Sequence, residues 1–142
     1  MHFELYRPQE ELNLPIRKTA HSAGYDFFLP QDAVIPAHGK VTIQTNVTVV
    51  HDNMDPANWV LKVYPRSSYG TKKDLVLANT VGIVDYDYCG FEILICLYNR
   101  GDSDIALKAG DSFVQGIFEG FYITSDDAAF GERVGGFGST GN

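Results

Sequence analysis

Cysteine is scarce in this sequence, and its spacing excludes the metal and disulfide frameworks that many small proteins use. The 142 residues include 2 cysteines and 4 scattered histidines. Neither Cys89 nor Cys96 belongs to a Cys-x-x-Cys pair, so no zinc-site spacing is present. An intact strand would separate the two by roughly 20 Å, so we expect two reduced thiols without an internal disulfide.

Long apolar runs and runs of basic residues are also missing. No stretch approaches the roughly 18 apolar residues of a membrane span, and the first residues show no apolar run behind a basic start. The formal net charge is -7, whereas a nucleic-acid-binding face must be basic. We therefore expect a soluble, cytoplasmic protein that binds neither membranes nor nucleic acid. Local positive groups could still hold a small anion.

Helical periodicity is missing as well, and the dominant period is two. Residues 41–49 alternate apolar and polar side chains, which predicts a strand with one buried face. Further β-rich runs lie at residues 59–64, 91–98 and 113–123, and residues 69–78 could hold a short helix with Ser67 or Ser68 at its N-cap. With 44% hydrophobic content, the chain is predicted to form one all-β domain, an antiparallel sandwich or barrel with at most one short helix.

Residues 79–90 carry the densest chemistry. Apolar residues run up to Asp85 and resume after Gly90, so we expect a bend between two buried strands, as at a β-hairpin tip. Asn79 offers a donor and an acceptor to a pyrimidine edge, and Asp85 can orient and polarise a water. The alternative is that Asp85 and Asp87 are ordinary turn residues.

A second candidate site is the segment Pro65-Arg66-Ser67-Ser68-Tyr69-Gly70. A helix start presents unpaired N–H groups and a positive dipole end, to which an arginine and a serine hydroxyl could add phosphate contacts. The alternative is a helix cap with a surface arginine.

The last eight residues, 135–142, contain four glycines, which let backbone N–H groups approach a ligand closely. Phe137 offers a flat face for a base, and Ser139 and Thr140 offer hydroxyl donors. A frayed terminus is the alternative.

Five segments, in order along almost the whole chain, resemble the motifs of the trimeric deoxyuridine triphosphatases (dUTPases, dUTP nucleotidohydrolases). They are Ala23-Gly24-Tyr25-Asp26-Phe27, Pro65-Arg66-Ser67-Ser68, residues 79–90, Gly110-Asp111-Ser112-Phe113-Val114-Gln115 and Gly135-Gly136-Phe137-Gly138-Ser139-Thr140-Gly141. The resemblance implies a jelly-roll-like (β-clip) fold and a homotrimer with active sites shared between subunits. Residues 1–124 would form the β domain, and residues 125–142 a flexible arm that closes over an active site of the trimer.

The implied reaction is Mg²⁺-dependent hydrolysis of dUTP to dUMP and pyrophosphate. It limits uracil incorporation into DNA and supplies dUMP for dTMP synthesis. The metal would be chelated mainly by the three phosphates, which suits a sequence without a dense carboxylate cage.

The resemblance also implies a role for individual residues. Asp85 would activate the water that attacks the α-phosphorus. Asn79 would read uracil, Tyr88 would pack beneath the deoxyribose and exclude a ribose 2′-hydroxyl, and Asp26 would hold Mg²⁺ through water.

On the phosphate side, Ser67 would reach the oxygen between the α- and β-phosphates, Gln115 would contact the α-phosphate, and Arg66 would be structural or face phosphate. In the arm, Phe137 would stack on uracil while Ser139 and Thr140 touch phosphates. The remaining substrate-binding candidates are Ser68, Gly70, Gly82, Arg133 and Gly138.

Four residues depart from the family pattern or have more than one possible role. The fourth motif has Ser112 and Val114 where the family usually carries a basic residue and an alanine, so we expect a local ion pair to be missing there. Arg133 lies one place closer to the glycines than in the family pattern, which leaves its role as a γ-phosphate ligand open. Phe91 is expected to fill the core, with stacking on the substrate as the alternative.

Two other functions are compatible with parts of the sequence. A dCTP deaminase resembles this fold and also carries Arg-Ser-Ser before a short helix, but here Tyr69-Gly70-Thr71 follows without the second arginine expected of deaminases. The other is a regulatory protein in which dUTP binding changes the arm and controls association with an unidentified protein partner.

Overall fold

The computed structural model describes residues 1–52, 56–133 and 136. Over these residues the chain forms eleven strands, one α-helix and one 3₁₀ turn. The strands are β1 His2–Leu5, β2 Tyr25–Phe28, β3 Ala33–Ile35, β4 Lys40–Gln44, β5 Val47–Val50, β6 Trp59–Pro65, β7 Leu75–Leu77, β8 Gly82–Val84, β9 Leu94–Asn99, β10 Ile105–Leu107 and β11 Ser112–Gly120. Helix α1 spans Ser67–Lys72, and the 3₁₀ turn spans Tyr86–Tyr88.

The strands form four antiparallel sheets. The largest has the order β2-β11-β6-β8, and a second has the order β4-β9-β7. The pairs β1-β5 and β10-β3 complete the fold. Both larger sheets contribute to one apolar core, which includes Phe27, Leu61, Leu97, Leu107 and Phe113. The predicted all-β antiparallel class with one short helix is confirmed.

The strand predicted at residues 41–49 is wrong in one respect, because the structure divides it. β4 ends at Gln44 and β5 begins at Val47. Between them, Asn46 has a φ of 56°, and its side-chain Oδ1 accepts a hydrogen bond from the Arg7 backbone N–H at 2.6 Å. Asparagine tolerates this left-handed conformation better than most residues, which allows the chain to move from one sheet to another here.

The helix lies earlier than predicted. It begins at Ser67 and ends at Lys72, so Arg66 occupies the N-cap position and no side chain caps the helix. The predicted serine cap is therefore wrong. β7 takes up the rest of the predicted helical segment after Asp74, whose φ of 52° ends the helical path.

The predicted hairpin at residues 79–90 is also wrong. β8 pairs with β6 and β9 pairs with β4 and β7, so the two strands belong to different sheets. The segment is a crossover between sheets, and the 3₁₀ turn lies at its bend. The runs predicted at 91–98 and 113–123 correspond to β9, which starts at Leu94, and to β11, which ends at Gly120.

Cys89 and Cys96 are thiols that are not joined in a disulfide, as predicted. Among residues 1–52, 56–133 and 136, no helix is long and apolar enough to cross a membrane.

Candidate active site

Asp85 lies between β8 and the 3₁₀ turn, at the point where the chain leaves the four-stranded sheet. Its backbone is extended, with φ -75° and ψ 164°, and its side chain is 46% exposed. Tyr86, Asp87 and Tyr88 follow on the turn itself. The carboxylate is therefore open to a ligand or water, whereas the neighbouring backbone is fixed.

Arg133 covers this acidic turn. Its guanidinium pairs with Asp85, and its Nε donates a hydrogen bond to Asp87 Oδ1 at 2.6 Å. The same group lies 5.7 Å from the centre of the Tyr88 ring. The hydrogen bond to Asp87, with the charge of Asp85 nearby, raises the pKa of Arg133. An arginine that follows β11 thus neutralises both carboxylates and contacts the candidate sugar-packing ring.

The turn is anchored at both ends by its two tyrosines. The Tyr86 hydroxyl lies 3.1 Å from His51 Nδ1, and the two rings stack at 4.2 Å. Trp59 packs edge-on against Tyr86 at 5.4 Å. At the other end, the Tyr88 hydroxyl donates to the Glu92 carbonyl at 2.8 Å, and burial raises the pKa of Tyr88. These contacts fix the backbone that carries Asp85.

A partly buried ion pair lies next to the turn. Arg7 donates from both terminal nitrogens to the Glu92 carboxylate, at 3.0 and 3.1 Å, and the Asn46 backbone N–H donates to the same carboxylate at 2.8 Å. The hydrogen bond to Glu92 is the main reason that the pKa of Arg7 is raised. Sequence reasoning missed this network because Arg7 and Glu92 are 85 positions apart and belong to no local pattern.

A cavity of about 230 Å³ lies beside this turn. Asn79, Gly82 and Tyr88 contribute to its wall together with Arg133 and Gly136, and the rest of the lining is mainly apolar. At Gly82, a Cβ would lie 3.1 Å from Val63 Cβ on the paired strand, so a larger residue would crowd β6. The structure therefore brings Asn79 and Tyr88, which were predicted to contact the base and the sugar, together with two further substrate-binding candidates, Gly82 and Arg133.

Asn79 is presented by a strained turn. Thr80, the next residue, has a φ of 69°, which is a rare conformation for a β-branched residue. The Thr80 N–H donates to the Leu77 carbonyl at 3.1 Å, and the Val81 N–H donates to the Asn79 carbonyl at 2.7 Å. These bonds hold Asn79 at the end of β7, where its exposed amide faces the cavity wall.

A second group of predicted residues lies around Asp26 on β2. Asp26 Oδ1 lies 3.6 Å from Arg66 Nε, and Oδ2 lies 3.4 Å from Lys18 Nζ. Gln115 is directly opposite Asp26 in the β11–β2 register, and a Cβ at Gly24 would lie 2.6 Å from Gln115 Oε1. This carboxylate is thus flanked by two cations and one amide, which is a suitable environment for phosphate oxygens.

Helix α1 begins beside this group. Ser67 and Ser68 are exposed at its first turn, and Gly70 follows with its N–H bonded to the Arg66 carbonyl at 3.3 Å. Arg66 Nη1 also donates to the Ser112 carbonyl at 3.3 Å, so the arginine joins the helix start to β11. The Ser112 hydroxyl is buried without a hydrogen-bond partner among the described residues. Because Ser112 carries no charge, the two cations next to Asp26 come from other segments. Arg66 comes from the start of the helix, and Lys18 comes from the segment before β2.

The two groups are far apart in one chain. Asp26 and Gln115 share a row of the four-stranded sheet with Tyr64, whereas Asp85 follows Val84, which pairs with Leu61. Asp26 and Asp85 are separated by three strand spacings across the sheet and by about four residues along the strands. Together these give a distance of roughly 20 Å between the two residues. A single subunit therefore does not bring together all the predicted site residues.

Phe91 is not a core residue, so that prediction is wrong. Its side chain is 43% exposed, and its ring lies 5.4 Å from the Tyr88 ring at a tilt of 38°. Gly90, with a φ of 84°, turns the chain just before it, and β9 begins only at Leu94. The stacking alternative for Phe91 remains a prediction. Four arm candidates, Phe137, Gly138, Ser139 and Thr140, lie outside the described residues.

The described side chains do not form a cluster of three or more histidine, cysteine or acidic groups that could hold a metal ion. Asp26 is a single carboxylate whose two oxygens face cations. A single carboxylate of this kind suits Mg²⁺ that is already chelated by phosphates. It would hold such an ion by accepting hydrogen bonds from the water ligands of the metal.

The fold and the two groups define an antiparallel β domain with a small cavity beside an acidic turn and a separate phosphate-compatible surface. Comparison with known proteins identifies the family. The dUTPase family profile matches residues 10–141. The chain belongs to the dUTPase family.

Several relatives are similar over most of their length. A deoxyuridine 5′-triphosphate nucleotidohydrolase of Lactococcus lactis is 36% identical in an alignment of 145 positions that covers 92% of this chain and 89% of that protein. The crystal structure of the Streptococcus mutans dUTPase is 34% identical, with a TM-score of 0.75 over 88% of this chain and 99% of that one. A dUTPase variant from Staphylococcus aureus phage phi11, described as coordinating a structural Mg(II) ion, shares the fold with a TM-score of 0.74 at 21% identity, covering 90% and 95%.

Proposed function

We propose that this protein hydrolyses dUTP to dUMP and pyrophosphate, which would limit uracil incorporation into DNA and supply dUMP for dTMP synthesis. Family membership and the names of its relatives support this activity. The observation that carries the proposal is the exposed Asp85 carboxylate on an anchored turn, next to the cavity that Asn79, Gly82 and Tyr88 line.

The cavity is proposed to bind the nucleoside. The Asn79 amide pairs with the uracil edge, and Gly82 leaves room for the ring beside β6. The Tyr88 ring packs beneath the deoxyribose and excludes a 2′-hydroxyl, because its hydroxyl is already held by the Glu92 carbonyl and the ring cannot easily retreat. Phe91, next to Tyr88, offers a second aromatic face.

The group around Asp26 is proposed to bind the triphosphate. Arg66, Ser67 and Gln115 contact phosphate oxygens, and the exposed first turn with Ser68 and Gly70 lies beside them. Asp26 would hold Mg²⁺ through water. When bound, the metal would neutralise charge on the phosphates, which lowers the barrier to displacement.

The chemical step needs a positioned water and a good leaving group. Asp85 orients a water and accepts one of its protons as the water oxygen bonds to the α-phosphorus. The bond from the α-phosphorus to the α–β bridging oxygen breaks, and pyrophosphate leaves. Positioning and charge neutralisation lower the barrier more than strong base chemistry does.

A homotrimer is proposed because one chain cannot complete the site. If Gln115 contacts the α-phosphate and Asp85 activates the water at the same phosphorus, the roughly 20 Å between the two groups in one subunit must be bridged by another subunit. The proposed arm, residues 125–142, would then close over the assembled site, with Phe137 on uracil and Gly138, Ser139 and Thr140 near phosphates. Substrate phosphates would compete with Asp85 and Asp87 for Arg133.

Mixing two inactive variants tests the shared site. Asp85→Asn and Gln115→Ala each damage one group, and subunit exchange between them creates some sites with both groups intact. We expect the mixture to regain turnover that neither variant shows alone. No gain, with exchange verified by mass spectrometry, would contradict the shared site.

Parallel incubation with Mg²⁺ and dUTP, dCTP, dTTP or UTP tests the activity itself. We expect dUMP and pyrophosphate from dUTP alone. A uracil product from dCTP would instead indicate a deaminase, and binding of dUTP without turnover would favour the regulatory alternative with a protein partner.

A further inference from the structure

The segment before β2, residues 17–24, is a compact loop closed by its own polar groups. Arg17 Nη1 donates to the carbonyls of Ala20 and Ser22, at 3.2 and 3.1 Å. Thr19 and Ser22 exchange further hydrogen bonds between side chain and backbone, at 3.0 to 3.4 Å. The loop geometry is therefore fixed before any ligand binds.

Backbone pairing attaches this loop to the proposed phosphate surface. The Asp26 N–H donates to the Ile16 carbonyl at 2.8 Å, and the Ile16 N–H donates to the Asp26 carbonyl at 3.3 Å. Lys18 follows two residues later and places its Nζ 3.4 Å from Asp26 Oδ2. Its side chain is 54% exposed, whereas that of Asp26 is largely buried. An ammonium has three donors, so Lys18 can contact Asp26 and an external anion together.

The charges around Asp26 favour such an anion. One carboxylate would repel phosphate oxygens, but Lys18 and Arg66 together outweigh it by one positive charge. This local excess occurs in a chain whose formal net charge is -7. Ser112, on the adjacent strand, contributes no charge. Lys18 is therefore needed for this part of the surface to be positive.

The position of Lys18 indicates which phosphate it would meet. Gln115, proposed at the α-phosphate, lies on β11 at one edge of β2, whereas the Ile16 segment pairs with the opposite edge. The two segments are about two strand spacings apart, roughly 10 Å. Lys18 thus lies on the far side of Asp26 from the α-phosphate contact.

We propose that Lys18 binds the terminal phosphate and lets the site distinguish a triphosphate from shorter nucleotides. The inference rests on the proposed function, since it takes the α-phosphate to lie at Gln115. It adds a residue that the five sequence motifs did not include.

The experiment compares Lys18→Met with the wild type for binding of dUMP and of the slowly hydrolysed α,β-imido analogue of dUTP, by calorimetry in Mg²⁺ buffer. We expect affinity for the analogue to fall about tenfold, as for one partly exposed charge-assisted contact, and affinity for dUMP to stay unchanged. In kinetics, KM for dUTP should rise while kcat stays within about twofold, because the contact is the same in ground and transition states. Lys18→Arg should restore most of the affinity.

Lys40→Met is the matched control, because Lys40 lies on β4 in the other large sheet, with its Nζ 5.6 Å from the Tyr98 ring centre. It should leave both affinities unchanged. An equal loss of dUMP and analogue affinity in Lys18→Met would overturn the inference, since it would mean that Lys18 acts only by holding Asp26. Unchanged affinity for both ligands would also overturn it.

A uracil-free probe separates this inference from the proposed function. Inorganic tripolyphosphate should bind the wild type in a Lys18-dependent way. If dUTP is neither bound nor hydrolysed but tripolyphosphate binding still depends on Lys18, the proposed function fails and the phosphate contact stands. If dUTP is hydrolysed and neither polyphosphate binding nor KM depends on Lys18, the contact fails and the proposed function stands.

Discussion

Replacing Asp85 by asparagine should separate catalysis from binding and from stability. The change keeps the shape of the side chain and removes its charge. Stability should change little, because the Asp85 carboxylate is 46% exposed and Arg133 keeps its hydrogen bond to Asp87. Exposed ion pairs contribute at most about 1 kcal/mol to unfolding free energy, and the Tyr86 and Tyr88 anchors are untouched.

Turnover should fall much further than stability. A positioned general base contributes about 10²- to 10⁴-fold to the rate, and asparagine cannot accept the proton of the attacking water. Nucleotide affinity should hold or increase slightly, because removing a negative charge next to the cavity reduces repulsion of the phosphates and weakens the pairing of Arg133 with residue 85.

Three measurements on the same preparation test this reasoning. Pyrophosphate release at saturating dUTP gives kcat, calorimetry with the imido analogue gives affinity, and thermal unfolding at fixed protein concentration gives stability. If kcat stayed within about threefold of the wild type, Asp85 would not have the proposed role. A large loss of stability would show that the Asp85–Arg133 pair is structural.

Other substitutions test the support of the site. Tyr88→Ala should raise the UTP-to-dUTP ratio of kcat/KM by about tenfold, while Tyr88→Phe should keep this ratio low. An equal ratio in both variants would mean that the Tyr88 ring does not exclude the ribose 2′-hydroxyl. Glu92→Gln should lower the free energy of unfolding by about 2 kcal/mol and Tm by about 6 °C, because it weakens the partly buried bidentate pair with Arg7. Glu11→Gln is the exposed control, and equal Tm values in the two variants would refute the anchoring role of Glu92. Deleting residues 131–142 should leave the strands folded but slow dUTP hydrolysis about 100-fold, and full-rate hydrolysis would refute the closing arm.

The parts of the fold that sequence could predict depend on local pattern. β6 and β11 are rich in β-branched and aromatic residues, and the ends of the runs predicted from the sequence lie within a few residues of the ends of these strands. The alternation through residues 41–49 also looks local, but it continues across a break at Asn46. The apolar and polar alternation depends only on side-chain type, so a single residue with positive φ does not change it. The division into β4 and β5 at Asn46 therefore could not be predicted from the alternation.

The error at residues 79–90 has a different origin. A turn between two apolar runs predicts a hairpin only if the two strands pair with each other, and here β8 and β9 pair with distant strands instead. Long-range pairing also explains why the anchors of the Asp85 turn were missed. His51 follows β5 and contacts Tyr86, and Arg7 follows β1 and contacts Glu92, and no spacing rule connects either residue to the turn.

Motif order along the chain likewise does not reveal which residues act in one subunit. Asp26, Arg66 and Gln115 come from three separated motifs, yet β2, the end of β6 and β11 place them on one side of a single sheet. Asp85 is closer in sequence to Arg66 than Gln115 is, but the register of β6 with β8 carries it away from that group. Because nucleotide hydrolysis needs the base, sugar and phosphate contacts around one substrate, this separation means that association of subunits is a condition for forming the proposed site. In the proposed trimer, the dUTPase sequence motifs would supply the site residues, and the sheet register would divide those residues between neighbouring chains.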